Sequence, residues 1–261
     1  MTVKINKSLP ALAMLQAFLR MARKAGVRAA CEKAFRYARN LHNTAKILEA
    51  SSIEDRFTTI YTDNYWGDKE SVSGYGSTLR YTKQLREQLP AVLERFGIKT
   101  IFDAPCGDFN WMPSVLAGRD LNYIGADIVK PLIDALNAKH RADRVTFEHL
   151  DLTADPFPAA DLWLCRDCLF HLSQADTKRA LQRFVESNIP YLLTTTHKNA
   201  GEFQNVDIKT GDFRFIDLFA SPYNFPTDVL FRTDDYHAPE QPREMCLWSR
   251  EQILHALSKG A

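Results

Sequence analysis

Ile101-Phe102-Asp103-Ala104-Pro105-Cys106-Gly107-Asp108 carries an apolar run into an acid, a proline and a glycine. Lys99–Asp103 has the length and apolar content of a short buried strand. Pro105 and Gly107 then force a turn, and Gly107 leaves room for a ligand to approach the backbone. Asn110 is a candidate N-cap for a helix over Trp111–Leu116, with Pro113 in its first turn.

The pattern recurs outward from this segment. Tyr123–Ile128 predicts a second strand and Pro131–Lys139 a helix. Val145–Leu150 and Asp161–Cys165 predict the third and fourth strands. Ser173–Ser187 reads as a helix with Ser173 as N-cap, and Tyr191–Thr195 as the fifth strand. Strands alternating with helices specify parallel βαβ units, hence an α/β fold with a mostly parallel sheet and helices on both faces. Right-handed crossovers put ligands outside the carboxyl ends of the strands. Residues 198–228 break the alternation and read as loop. Val229–Thr233 and Met245–Trp248 complete seven strands, and Ser249-x-x-Gln252 is a capping box opening a last short helix. Upstream, residues 77–96 predict a helix stopped by Gly97. Residues 62–78 predict an ordered loop, because Tyr65, Trp66 and Tyr75 need packing partners.

Asp103, Asp127, Asp151 and Asp167 each fall where one of the first four strands ends. The repeat therefore gathers four carboxylates on one sheet edge. One acid at a strand end is ordinary; four in succession point to a ligand. Asp127 is placed to accept hydrogen bonds from a ribose, as an acid does in dinucleotide folds. Asp151 is placed beside an adenine amino group, and Asp103 or Asp108 beside a cationic amino-acid end. Such a pocket suits S-adenosylmethionine (SAM), whose sulfonium is positive. It suits a pyrophosphate poorly, because the turn lacks G-x-G-x-x-G and its aspartate would repel phosphate.

Cys165-x-x-Cys168-x-x-His171 has metal-ligand spacing. A closed zinc site needs four ligands, and no second pair lies near. Asp167 also opposes the lowered thiol pKa of a redox pair. These cysteines read as free and buried, and no metal is expected.

Residues 1–50 hold ten Lys/Arg against Glu32 and Glu49, a net +8; the rest holds 23 basic and 30 acidic residues, a net −7. A basic arm is thus joined to an acidic body. Leu12, Leu15 and Leu19, then Ala34, Tyr37, Leu41, Ala45 and Leu48, predict helices over 9–50 divided at Gly26. A basic amphipathic arm lies on anionic lipid, on nucleic acid, or on its own acidic body, and these readings stay open. The apolar run Leu9–Leu19 is too short to span a bilayer. Arg20, Arg23 and Lys24 follow it with no cleavage site, so neither export nor a transmembrane helix is expected. An odd number of cysteines in a chain of this size fits a reducing cytoplasm. Residues 1–50 are the one candidate for peripheral contact with the inner membrane face.

The blocks DAPCGDFNWM (103–112), YIGADIV (123–129), DLWLCRDCLFHLS (161–173), YLLTTTH (191–197), NVDIKTG (205–211) and SPYNFP (221–226) resemble a group of bacterial class I SAM-dependent methyltransferases. The upstream YWGDKESVSGYGSTL (65–79) resembles it too. Members often lie among genes for surface polysaccharide. The likeness covers roughly 57–250, and residues 1–50 match nothing in it. The usual E/D-x-G-x-G-x-G of the class is altered: Pro105 and Phe109 replace two glycines and Gly107 is kept. The resemblance implies a Rossmann-like class I methyltransferase fold over 57–261, with 1–56 as a basic helical extension. It implies that Asp103, Ala104, Pro105, Cys106 and Gly107 hold the methionine part of SAM. Asp127 with Ile128 then corresponds to the ribose site and Asp151 with Leu152 to the adenine pocket. Trp66, Ser73, Gly76 and Ser77 lie where N-terminal elements cover the cofactor in such enzymes, and Arg166 joins the same site.

Methyl transfer from SAM is an in-line displacement, accelerated largely by positioning. A hydroxyl acceptor has a high pKa, so a general base helps. Asp167 and His171 are the candidates, and His197 is expected to face the same edge. Arg166, Asn205, Asp207 and Asn224, with Phe203, Tyr223 and Phe225, either line an acceptor site or pack a loop on the domain. Cys165-Arg166-Asp167-Cys168 stands where amino-directed nucleic-acid methyltransferases carry N/D-P-P-Y/F, which argues against a nucleic-acid substrate. The expectation is O-methylation of a saccharide or another small hydroxyl acceptor. The alternative is a catalytically silent SAM-fold subunit docking through its basic arm.

Overall fold

The computed structural model describes residues 45–259; most of the helical stretch expected over 9–50 lies outside them. Helix α1 (Ile53–Thr62) and helix α2 (Lys83–Arg95) precede the sheet. Then come β1 (Thr100–Asp103), α3 (Met112–Leu116), β2 (Asn122–Asp127), α4 (Lys130–His140), β3 (Val145–His149) and β4 (Leu162–Cys165). The chain ends with α5 (Gln174–Glu186), β5 (Tyr191–His197), β6 (Phe231–Asp234), β7 (Arg243–Ser249) and α6 (Arg250–Lys259).

The seven strands lie in the order β3-β2-β1-β4-β5-β7-β6. Strands β1 to β5 pair in parallel, and β7 runs antiparallel to both β5 and β6. The order reverses between β1 and β4, which opens a crevice beyond their carboxyl ends. Successive side chains of a strand point to opposite faces, and Ile101 and Phe102 show the consequence. Phe102 packs with Trp163, Leu192, Phe184 and Ile253 on the α5–α6 face. Ile101 packs with Leu162, Leu164, Leu89 and Ile133 on the α2–α4 face. Both faces are covered, as a parallel sheet requires.

Several local expectations hold. Ser173 Oγ accepts from the Asp176 N–H and caps α5. Ser249 and Gln252 form a reciprocal capping box at the start of α6. Helix α2 begins only at Lys83, not at residue 77, because Tyr75–Ser77 forms a single 3₁₀ turn and Thr78 is extended. Asn110 does not cap α3. Its amide instead donates to Glu70 Oε1 and to the Ser77 carbonyl, tying an upstream loop to the sheet edge. Strand β5 continues to His197, β7 begins earlier at Arg243, and β6 is shifted to Phe231–Asp234. Helix α1 runs across residues 56 and 57, where the extension was divided from the domain. Among the described residues no helix is long and apolar enough to cross a membrane.

Candidate active site

A cleft opens at the carboxyl ends of β1 to β4, where an open α/β sheet takes its ligand. Its floor is the turn after β1, with Asp103, Pro105, Cys106 and Gly107. Asp127 and Ile128 line it after β2, Asp151 and Leu152 after β3, and Arg166, Asp167 and His171 after β4. Trp66 and Ser77 close it from the upstream loop. Ala104 does not reach the cleft. It is buried, and its carbonyl accepts from Trp163 Nε1 at 2.8 Å. Asp108 also turns elsewhere, with Oδ2 accepting from the Val72 N–H at 2.9 Å.

The strand-end acids sit in different surroundings. Burial pushes the Asp103 carboxyl up to about 7, against the Tyr123 hydroxyl that donates to it at 2.7 Å and the nearby Arg166. Burial likewise pushes Asp127 up to about 6, against the N–H groups of Val129 and Gly107 that donate to it. Asp151 Oδ1 accepts from both the backbone and the hydroxyl of Thr153. At Asp167 burial would raise the carboxyl, but Arg166, Arg243 and the Thr195 hydroxyl outweigh it and hold it below the usual range. Asp167 also has φ of 51°. Gly76 lies against it, where a Cβ would stand 3.1 Å from Oδ2.

Arg166 is already engaged. Its Nε and Nη2 bind both oxygens of buried Asp235 at 2.8 and 3.2 Å. His171 Nδ1 lies 2.8 Å from the Asp212 carbonyl. A carbonyl only accepts, so Nδ1 carries the proton and Nε2 keeps a lone pair. Burial lowers the His171 pKa, so the ring is neutral near neutral pH despite the Asp212 carbonyl and Asp167. His197 does not face the cleft. It is 2% exposed, packs among Phe170, Phe213 and Phe215, and is pushed by burial down to about 4. Its Nδ1 accepts from the Ile216 N–H, a purely structural bond.

None of the proposed acceptor-lining loop residues reaches the cleft either. Asn205 bridges Asp217 and Ser221, Tyr223 accepts from Arg214, and Phe225 packs on Trp248. They pack the loop on the domain. Cys165 and Cys168 are free and buried, and the described residues hold no cluster fit for a metal ion.

Neither a protein-family model nor a curated protein sequence matches the chain. Solved structures do. A 1,6-didemethyltoxoflavin-N1-methyltransferase of Burkholderia thailandensis, with S-adenosylhomocysteine bound, is 14% identical with a TM-score of 0.54, covering 80% of this chain and 89% of that one. The N-methyltransferase NodS of Bradyrhizobium japonicum WM9, with S-adenosylhomocysteine, is 11% identical at 0.52, covering 73% and 97%. The magnesium protoporphyrin IX methyltransferase ChlM of Synechocystis PCC 6803, with bound SAM, is 16% identical at 0.51, covering 77% and 99%. The fold is that of class I methyltransferases. At such identities the likeness is one of fold.

On this methyltransferase fold, sequence reading missed one wall of the cleft. Ile53, Phe57 and Tyr61 of α1 line it. The signal was present: Ser52 Oγ accepts from the Asp55 N–H, an S-x-x-D start to a helix on which Ile53, Phe57 and Tyr61 recur every four residues. Arg243 and Asp235, which set the charge of Asp167 and Arg166, come from β7 and the turn after β6. No local pattern marks them.

Proposed function

We propose that the chain is a SAM-dependent methyltransferase acting on the hydroxyl of a saccharide or another small acceptor. One observation carries this reading: a single cleft is lined both by the acids ending β1, β2 and β3 and by a neutral histidine after β4. The residues fit the donor. Asp127 uses one lone pair of each oxygen on backbone N–H groups and keeps others for ribose hydroxyls. Asp151 keeps Oδ2 for an adenine amino group, with Ile128, Leu132 and Leu152 as apolar neighbours in the cleft. Asp103, raised by burial, is the carboxyl that a cationic ligand would ionise.

When bound, SAM supplies a methyl carbon to the acceptor oxygen, and the broken carbon–sulfur bond leaves its electron pair on sulfur. His171 Nε2 takes the hydroxyl proton as the new bond forms. Asp167 is kept ionised by two arginines, so it is a poor base and acts by stabilising the imidazolium. The imidazolium then releases its proton to solvent. Two of the structural neighbours are named as N-methyltransferases, so the fold leaves the acceptor atom open; the base favours oxygen.

The test is calorimetry followed by turnover. Asp127→Ala is expected to weaken SAM binding by about 100-fold, from two lost charge-assisted hydrogen bonds. His171→Ala is expected to lower turnover by about 10²–10⁴ with SAM affinity kept. Affinity unchanged by the first variant sinks the donor site, and turnover unchanged by the second sinks the base.

A further inference from the structure

We infer that Trp66 and Phe213 form the ring platform of the acceptor subsite, and that the acceptor presents an uncharged sugar ring. This rests on the methyltransferase reading above and names its substrate class. Few large apolar side chains are exposed among the described residues, yet two aromatic ones gather at one point. Trp66 is 39% and Phe213 37% exposed. Each ring centroid lies 5.8 Å from that of His171. Trp66 also lines the cleft beside His171. Two half-exposed aromatic rings beside a general base leave unburied area that a ring-shaped acceptor would cover.

The charged groups near these rings are mostly paired with one another, and one carboxylate stays open beside Phe213. Arg166 is held by both oxygens of Asp235, and Arg243 donates to Asp167 through Nη2 while its Nε is buried without a partner. Lys209 Nζ donates to the Leu48 carbonyl. Asp212, whose carbonyl orients His171, precedes Phe213 and offers a carboxylate. Carboxylates accept hydrogen bonds from sugar hydroxyls and repel an acidic sugar.

Trp66 provides a direct readout. The chain has four tryptophans, and Trp111, Trp163 and Trp248 are buried at 7%, 0% and 0% exposure. Acrylamide quenching of emission therefore reports on Trp66. With S-adenosylhomocysteine present, methyl glycosides of neutral hexoses and deoxyhexoses should protect Trp66. A methyl glucuronide should protect at least tenfold less. Phe213→Ala should weaken protection about tenfold and Phe213→Tyr should restore it, while the affinity for S-adenosylhomocysteine stays within twofold. Protection by planar phenols in place of glycosides overturns the sugar assignment. Protection unaffected by Phe213→Ala, or absent with every glycoside, overturns the platform. Loss of S-adenosylhomocysteine binding by the unsubstituted protein would instead indict the donor site, and calorimetry separates that failure from the others.

Discussion

The acids ending β1 and β2 and the acid following β4 occupy equivalent places in the βα repeat, yet their chemistry is opposite. Asp103 and Asp127 are raised, because burial outweighs the Tyr123 hydroxyl and Arg166 at the first and the backbone N–H groups and His149 at the second. Asp167 is lowered, because Arg166 and Arg243 flank it. The first wall holds carboxyls that a cation would ionise; the second is already ionised and is held so by its arginines. Position in the fold brings a carboxylate to the edge, and the partners that tertiary structure supplies decide what it does there.

The second wall should be the more fragile when broken. Arg166→Leu leaves Asp235, 3% exposed, without its bidentate partner and takes one cation from Asp167. Removing one partner of a buried pair costs about 3–5 kcal/mol. Arg166→Leu with Asp235→Leu should recover most of that loss in urea denaturation. A single variant within about 0.5 kcal/mol of the parent would show that the wall is not held by this pair.

On the first wall the same kind of surgery should stabilise. Burial holds the Asp103 carboxyl at about 7 in the folded protein, above the ordinary aspartate value of 3.8. The folded state therefore binds this proton more tightly than the unfolded chain. The benefit is full below about pH 4 and is lost as pH rises to about 7. Asp127 adds to it with the same sign over a narrower window ending near 6. Asp103→Asn removes the penalty while still accepting from Tyr123. It should raise the Tm of the ligand-free protein at pH 8 more than at pH 5, by an amount equivalent to a few kcal/mol, and weaken SAM binding at pH 8. A Tm difference independent of pH would mean that Asp103 is not protonated in the folded state.

How much of this was legible follows from range. The strand-end acids were readable because strand and helix lengths repeat, so one period fixes where each carboxylate emerges. The sheet, its two covered faces and the caps at Ser173 and Ser249 come from patterns within a few residues. Ala104, Asp108 and His197 were misplaced because side-chain direction at a strand end depends on the twist of the turn, not on chain position. Asp235 and Arg243 were invisible because the ion pairs they make span 69 and 76 positions.

Gly107 separates local reading from tertiary fact. In the sequence it is a place for a ligand to approach the backbone. In the structure the approach is made by Ser73: a Cβ on Gly107 would stand 2.3 Å from Ser73 Oγ and 3.1 Å from its Cβ. Ser73 is held there because its Oγ accepts from the Asp108 N–H at 2.9 Å, while Val72 donates to Asp108. Gly107 also has φ of 55°, which disfavours a side chain by about 1 kcal/mol irrespective of neighbours. Gly107→Ala should therefore lose about 1–3 kcal/mol in two separable parts. Ser73→Gly in the same chain should return the steric part and leave the backbone part. A double-mutant cycle on Tm measures the coupling directly. Coupling near zero would return the glycine to the ligand, and the upstream loop would then be a neighbour of the β1 turn rather than the reason for its shape.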